Sequence, residues 1–146
     1  MKQEDKDLLL KDLCARLPYG IKISIPDLWT QKREIEILDE IFKGDDGLYR
    51  VNSSGQCIEH VKPYLFPLSS MTEEQEKEIS KRYNYHNSYQ LCVEITKHLE
   101  GYWDNDNSCD LQDYLWLIDY FYKNHIDFRG LIELGLAKDA TGLNIY

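Results

Sequence analysis

The hydrophobic period of this chain changes twice, and each change limits what the stretch that follows can become. Across residues 3–17, Leu9, Leu10, Leu13 and Leu17 recur at near-helical spacing among Lys and Asp. That predicts a helix over 3–16. Pro18-Tyr19-Gly20 ends it, because proline resists a continuing helix and glycine permits the turn. The period then falls to two: Ile21-Lys22-Ile23-Ser24-Ile25 alternates like a half-buried strand, and Pro26-Asp27 breaks it. Residues 33–42 fit two templates. Ile35, Ile37 and Ile41 suit one face of a strand, and Ile35, Leu38 and Phe42 suit one face of a helix. The β-branched isoleucines and the neighbouring strands favour strand. Lys43-Gly44-Asp45-Asp46-Gly47 reads as a hairpin turn into Leu48-Tyr49-Arg50-Val51. Asn52-Ser53-Ser54-Gly55 turns again, into Cys57-Ile58-Glu59-His60-Val61 and an extended run to Leu68.

After Ser69 the helical period returns. Thr72 with Gln75, or Ser70 with Glu73, fits a capping box, and Glu73, Glu74 and Glu76 suit the positive end of a helix running to about Tyr83. That helix is nearly all polar and is expected to be exposed along most of its length. Residues 89–99 read as another helix and 101–108 as a polar loop. Residues 110–124 form the clearest helix, with Leu111, Tyr114, Leu115, Ile118 and Tyr122 on one stripe. A short helix is expected over 130–137, and a loosely held tail over 141–146. The expected fold is therefore α+β: an N-terminal helix, a small antiparallel sheet or SH3-like barrel, then a C-terminal bundle of three to four helices. A helix-plus-sheet half at 1–70 and an acidic helical half at 71–146 are expected to share one compact unit.

Composition excludes several classes. No run approaches the roughly 18 apolar residues of a membrane span. The start, Met1-Lys2-Gln3-Glu4-Asp5-Lys6-Asp7, is too acidic for a secretory signal, so a cytoplasmic protein is expected. The net charge is −9; residues 1–70 carry 10 basic and 12 acidic side chains, and 71–146 carry 7 and 14. The second half would repel a phosphate backbone, which argues against direct nucleic-acid binding. Such a surface suits a basic partner, a mimic of nucleic acid, or simple solubility. Cys14, Cys57, Cys92 and Cys109 are widely spaced and read as free thiols serving as small apolar fillers.

Tests for chemistry return little. The acidic loop from Asp104 puts Cys109 where a calcium loop needs glycine and Leu115 where it needs a bidentate glutamate. Cys57 and His60 lie three apart near a strand, which points them to opposite faces, and Cys92, His98, Cys109 and His125 offer no paired zinc spacing. There is no nucleophile elbow and no phosphate-cradling glycine loop. No enzyme activity, metal or cofactor is expected. Arg129 reads as a local ion pair or carbonyl cap. The candidate contact residues are Trp116 and Tyr120, four apart on the 110–124 helix and projecting away from its leucine stripe, onto a face with Asp113, Asp119 and Lys123. Such a pair is either a second buried side or a surface for a partner or a second copy.

Three stretches carry a family likeness. They are Asp12-Leu13-Cys14-Ala15-Arg16-Leu17-Pro18-Tyr19-Gly20, then Val61-Lys62-Pro63-Tyr64-Leu65-Phe66-Pro67-Leu68-Ser69-Ser70-Met71-Thr72-Glu73-Glu74, and Asp127-Phe128-Arg129-Gly130-Leu131-Ile132 with Gly135-Leu136-Ala137. Together they resemble an uncharacterised family of small proteins from gut anaerobic bacteria, their prophages and mobile elements. The chain departs from that pattern with Phe66 in place of Arg and Phe128 in place of Tyr. The resemblance implies a phage or mobile-element setting and brings no activity or catalytic residue. The functional expectation is a non-catalytic accessory protein acting by protein–protein binding. The alternatives are an acidic nucleic-acid mimic that inhibits a host nucleic-acid-binding protein, and a small-ligand binder or enzyme with a deep pocket.

Overall fold

The computed structural model describes residues 1–27, 32–83 and 111–146. The expected helix at 89–99, the loops around it and the Asp104 loop, with Cys92, His98 and Cys109, lie outside these residues. The described residues form three α-helices and eight strands. These are α1 (Gln3–Arg16), β1 (Lys22–Pro26), β2 (Arg33–Ile37), β3 (Ile41–Lys43), β4 (Tyr49–Val51), β5 (Gln56–Cys57), β6 (Lys62–Pro67), α2 (Glu73–Tyr83), α3 (Leu111–Lys123), β7 (Ile126–Asp127) and β8 (Lys138–Asp139). Residues 33–42, ambiguous in sequence, are the strands β2 and β3. No helix among the described residues is long and apolar enough to cross a membrane.

The chain divides into two compact units, Met1–Leu65 with Leu131–Tyr146, and Phe66–Gly130. In the first, β1 pairs antiparallel with β2 and with β6, and β8 joins β6 in parallel. A separate three-stranded antiparallel sheet has the order β3-β4-β5. The core gathers Leu9 and Leu13 from α1, Ile21, Ile23 and Ile25 from β1, and Leu38, Val51, Val61 and Leu65. Burial of these side chains is the main favourable term for the unit. On α1 the same face also buries Asp12 and Arg16 completely, with Nε 2.7 Å from the Asp12 carboxylate. Leucine spacing alone gives no sign of that pair.

The tail of the first unit is tied down, contrary to the expectation from its composition. The Tyr146 hydroxyl accepts a hydrogen bond from the Lys22 amide at 3.0 Å and donates to the Tyr64 carbonyl at 2.9 Å. Ser24 opposes Lys62 across β1 and β6, so Lys22 and Tyr64 are the next facing pair that would share ladder bonds. The phenol bridges the two strands at that place. Lys22 Nζ also bonds the Ile145 carbonyl.

In the second unit, Phe66 and Pro67 at the end of β6 pair in parallel with β7. The Thr72–Gln75 capping box forms: Gln75 N donates to Thr72 Oγ1 at 3.3 Å and Thr72 N to Gln75 Oε1 at 2.9 Å. Of α2 only Ile79 is buried among the described side chains, as its polar sequence predicts.

Five expectations fail in whole or in part. The C-terminal bundle of three to four helices does not form: the described residues beyond 70 hold two helices, and the chain closes with β7, turns and β8. Residues 130–137 are turns, because Gly130 and Gly135 take φ of 72° and 71° and the amides of Leu136 and Ala137 both bond the Leu131 carbonyl. The small antiparallel sheet or SH3-like barrel is instead two sheets, one of them mixed, since β7 and β8 return in parallel to β6. The run 57–61 leaves strand after Cys57 for a 3₁₀ turn over Ile58–His60. Finally, the expected stripe on α3 is buried only in part: Tyr122 is buried, but so are Leu117, Tyr120 and Phe121 outside it, whereas Leu115 of the stripe is 59% exposed.

Candidate functional site

The residues that stand out are isoleucines on the wrong side of a sheet. The register sets Ile23 opposite Glu36 and Ile25 opposite Glu34, so on β2 the glutamates share the face of the buried β1 isoleucines. Ile35 and Ile37 take the other face, at 48% and 56% exposure. Alternation in sequence fixed which residues share a face; it did not say which face would be covered. On that outer face Arg33 lies across the sheet, donating to Ser24 Oγ at 2.7 Å and to the His60 carbonyl at 2.7 Å. Ser24 is buried beneath it.

β2 ends its sheet, and hydrogen-bond parity says which of its backbone groups are open. Leu38 N bonds the Ile21 carbonyl and Asp27 N bonds the Lys32 carbonyl, at 2.9 and 2.7 Å. Antiparallel ladders bond alternate facing pairs, so Glu34 and Glu36 direct their amides and carbonyls to β1, while Arg33, Ile35 and Ile37 direct theirs outward. The outer end is closed by Asn52, whose Nδ2 donates to the Ile37 carbonyl at 2.8 Å and whose Oδ1 accepts from Asp39 N at 3.1 Å. Asn52 holds this position at φ 50°, a region asparagine tolerates better than most residues. What remains open, among the described residues, is the edge at Arg33 and Ile35 and the Ile37 amide.

A groove of about 160 Å³ in the same unit is lined by Lys6, Leu10, Leu48, Tyr49, Cys57 and Glu59 among others. Lys6 and Glu59 pair across it at 2.6 Å, and the hydrogen bond from Lys6 holds the Glu59 carboxyl below its usual range. Among the described residues its lining has no His or Arg beside Cys57, and no cluster of three His, Cys, Asp or Glu side chains converges anywhere. Cys14 is exposed and Cys57 half-buried, so neither is a core filler.

The candidates from the helix pattern sit in the second unit. Trp116 and Tyr120 stack at 5.1 Å. The Arg82 guanidinium lies 4.7 Å from the Trp116 ring centre, and the Tyr120 hydroxyl donates to Glu78 at 3.1 Å. Tyr120 is 7% exposed, and burial, with the hydrogen bond to Glu78, pushes its phenol up to about 12. Its ring and hydroxyl are thus engaged within the unit, and Trp116 is half-buried. Arg129, read as an ion pair or carbonyl cap, donates to the Tyr122 hydroxyl at 2.7 Å and lies 4.9 Å from the Phe128 ring centre. These contacts belong to aromatic packing around α3, with Phe121 and Tyr122 both on Phe128. No family model, curated protein or solved structure matches the chain.

Proposed function

We propose that this chain is a non-catalytic accessory protein that acts by binding another protein, in the cytoplasm and in a phage or mobile-element setting. The observation that carries the binding reading is the open edge of β2 with Ile35 and Ile37 exposed beside it. An exposed apolar edge strand is a template for association unless something blunts or covers it. The setting rests on the resemblance of the three quoted stretches. The contact surface is assigned to β2 rather than to Trp116 and Tyr120, because Tyr120 is already satisfied internally.

The test compares the whole chain with an Ile35→Ser/Ile37→Ser variant, each immobilised and exposed to bacterial lysate. Both side chains are exposed, so the variant should keep the circular dichroism and melting temperature of the parent. Saturable capture by the parent that the variant loses supports the reading. Capture of the same proteins by both overturns the assignment to β2, and no saturable capture by the parent overturns the binding reading.

A further inference from the structure

We infer that the open edge of β2 takes up an extended segment of another protein in which apolar and basic residues alternate, added antiparallel as a new outer strand. The inference rests on the protein-binding reading above and specifies its partner.

The backbone argument is one of parity. The amides and carbonyls of Arg33 and Ile35 and the amide of Ile37 face outward, and Asn52 terminates the row at the Ile37 carbonyl. That leaves room for a short strand, held by main-chain bonds, with its side chains alternating between the two faces. On one face the incoming side chains meet Ile35 and Ile37. On the other they meet Glu34, which is exposed, and Glu36, which is half-buried and accepts from Asn52 Nδ2 at 2.9 Å. Residues 32–40 carry Lys32 and Arg33 against Glu34, Glu36, Asp39 and Glu40, and the Arg33 guanidinium is already committed to Ser24 and the His60 carbonyl. The chemistry that complements the edge is therefore apolar on one face and cationic on the other.

The same charges argue against a second copy of this chain. An antiparallel register that pairs the open groups of Arg33 and Ile35 with β2 of a copy sets Glu34 against Glu34 or against Glu36 of that copy. Like charges directly opposite destabilise a strand pair. Inward-facing acids on an edge strand are a known means of discouraging self-pairing while leaving the edge open to a complementary strand.

The experiment uses the full chain and labelled peptides of about seven residues, one alternating Val and Lys, the other Val and Glu. Fluorescence polarisation reads binding, and amide hydrogen exchange reads the edge. The Val/Lys peptide should bind roughly tenfold or more tighter than the Val/Glu peptide. Glu34→Lys should shrink or reverse that ratio. In the free protein the Ile35 amide should exchange fast and those of Glu34 and Glu36 slowly, and the Val/Lys peptide should slow Ile35 at least about tenfold. Ile35→Pro removes an outward amide and spares the β1 ladder, so it should abolish binding, while Ile35→Ala, which keeps the amide, should retain part of it.

Equal binding of the two peptides, or an Ile35 exchange rate unmoved by the bound peptide, overturns the inference. So does a dimer by light scattering in which the Ile35 amide is protected without peptide, since the occupant is then a second copy. Lysate capture that depends on Ile35 and Ile37 without Val/Lys binding overturns the alternating-basic partner alone. Capture indifferent to both residues overturns the assignment of the contact surface to β2, and a parent chain that captures nothing saturably overturns the protein-binding reading itself.

Discussion

The buried Asp12–Arg16 pair makes the sharpest prediction about stability. Both side chains are fully buried on α1, one turn apart, with Arg16 Nε 2.7 Å and Nη2 3.3 Å from the two oxygens of Asp12. Their attraction, about 4 kcal/mol at an effective dielectric of 20, is set against a desolvation cost of several kcal/mol per ion. The pair as a whole is then close to neutral for folding, yet neither member can be removed cheaply. Arg16→Met should take this counter-charge from the buried Asp12 carboxylate and cost about 3–5 kcal/mol, and Asp12→Leu should do the same to the guanidinium at similar cost. For a chain whose total stability is about 5–15 kcal/mol, either is a large fraction. The double variant Asp12→Leu/Arg16→Met leaves no charge behind and should return to within about 2 kcal/mol of the parent. Urea denaturation followed by circular dichroism gives the four free energies, and the cycle gives the coupling. Single variants costing under about 1 kcal/mol, or a double variant as unstable as the two singles added, would refute the claim that the charges are held by each other in a dry site.

Two further outcomes follow from burial. Leu117→Ala should cost about 2–5 kcal/mol and Leu115→Ala less than about 0.5 kcal/mol in thermal melts, since Leu117 is buried and Leu115 exposed; the opposite order would restore the leucine stripe as the packed face. At alkaline pH the bridge at the tail should fail. Burial pushes Tyr146 up to about 12, because its hydroxyl sits between the two strands even though the residue as a whole is 44% exposed. Its protonated form is favoured by folding, so the contribution is intact below about pH 10, where the unfolded phenol is also protonated, and is lost as pH rises from 10 toward 12. Tyr146→Phe should lose the hydroxyl bridge at every pH and flatten that part of the alkaline slope; an unchanged slope would show that the phenol titrates as in the unfolded chain.

Residue pattern and tertiary contact divided the work along physical lines. Local signals were legible wherever a single element settles its own backbone. α1 begins and ends where its leucine spacing and Pro18-Tyr19-Gly20 predict, the Thr72–Gln75 box caps α2, and Lys43 to Gly47 turns the β3–β4 hairpin. The alternation of β1 likewise predicted a strand, because a period of two requires only the pleat.

Which face is covered is a different question. The apolar and aromatic residues of α3 spread over a face wider than one stripe, with Gln112, Asp119 and Lys123 together on the polar side; packing buried Leu117, Tyr120, Phe121 and Tyr122, and the aromatic rings among them remove more area from water than Leu115 can. β2 alternates as plainly as β1, but nothing in Arg33-Glu34-Ile35-Glu36-Ile37 says that its acids share the face of the β1 core; that follows from its register with β1. The parallel returns of β7 and β8 and the Tyr146 bridge depend on partners far away in sequence. Period and turn chemistry are properties of neighbouring residues, and so the sequence by itself determined them. Burial, register and the open edge are properties of what arrives from elsewhere in the chain, and only the tertiary structure decided those.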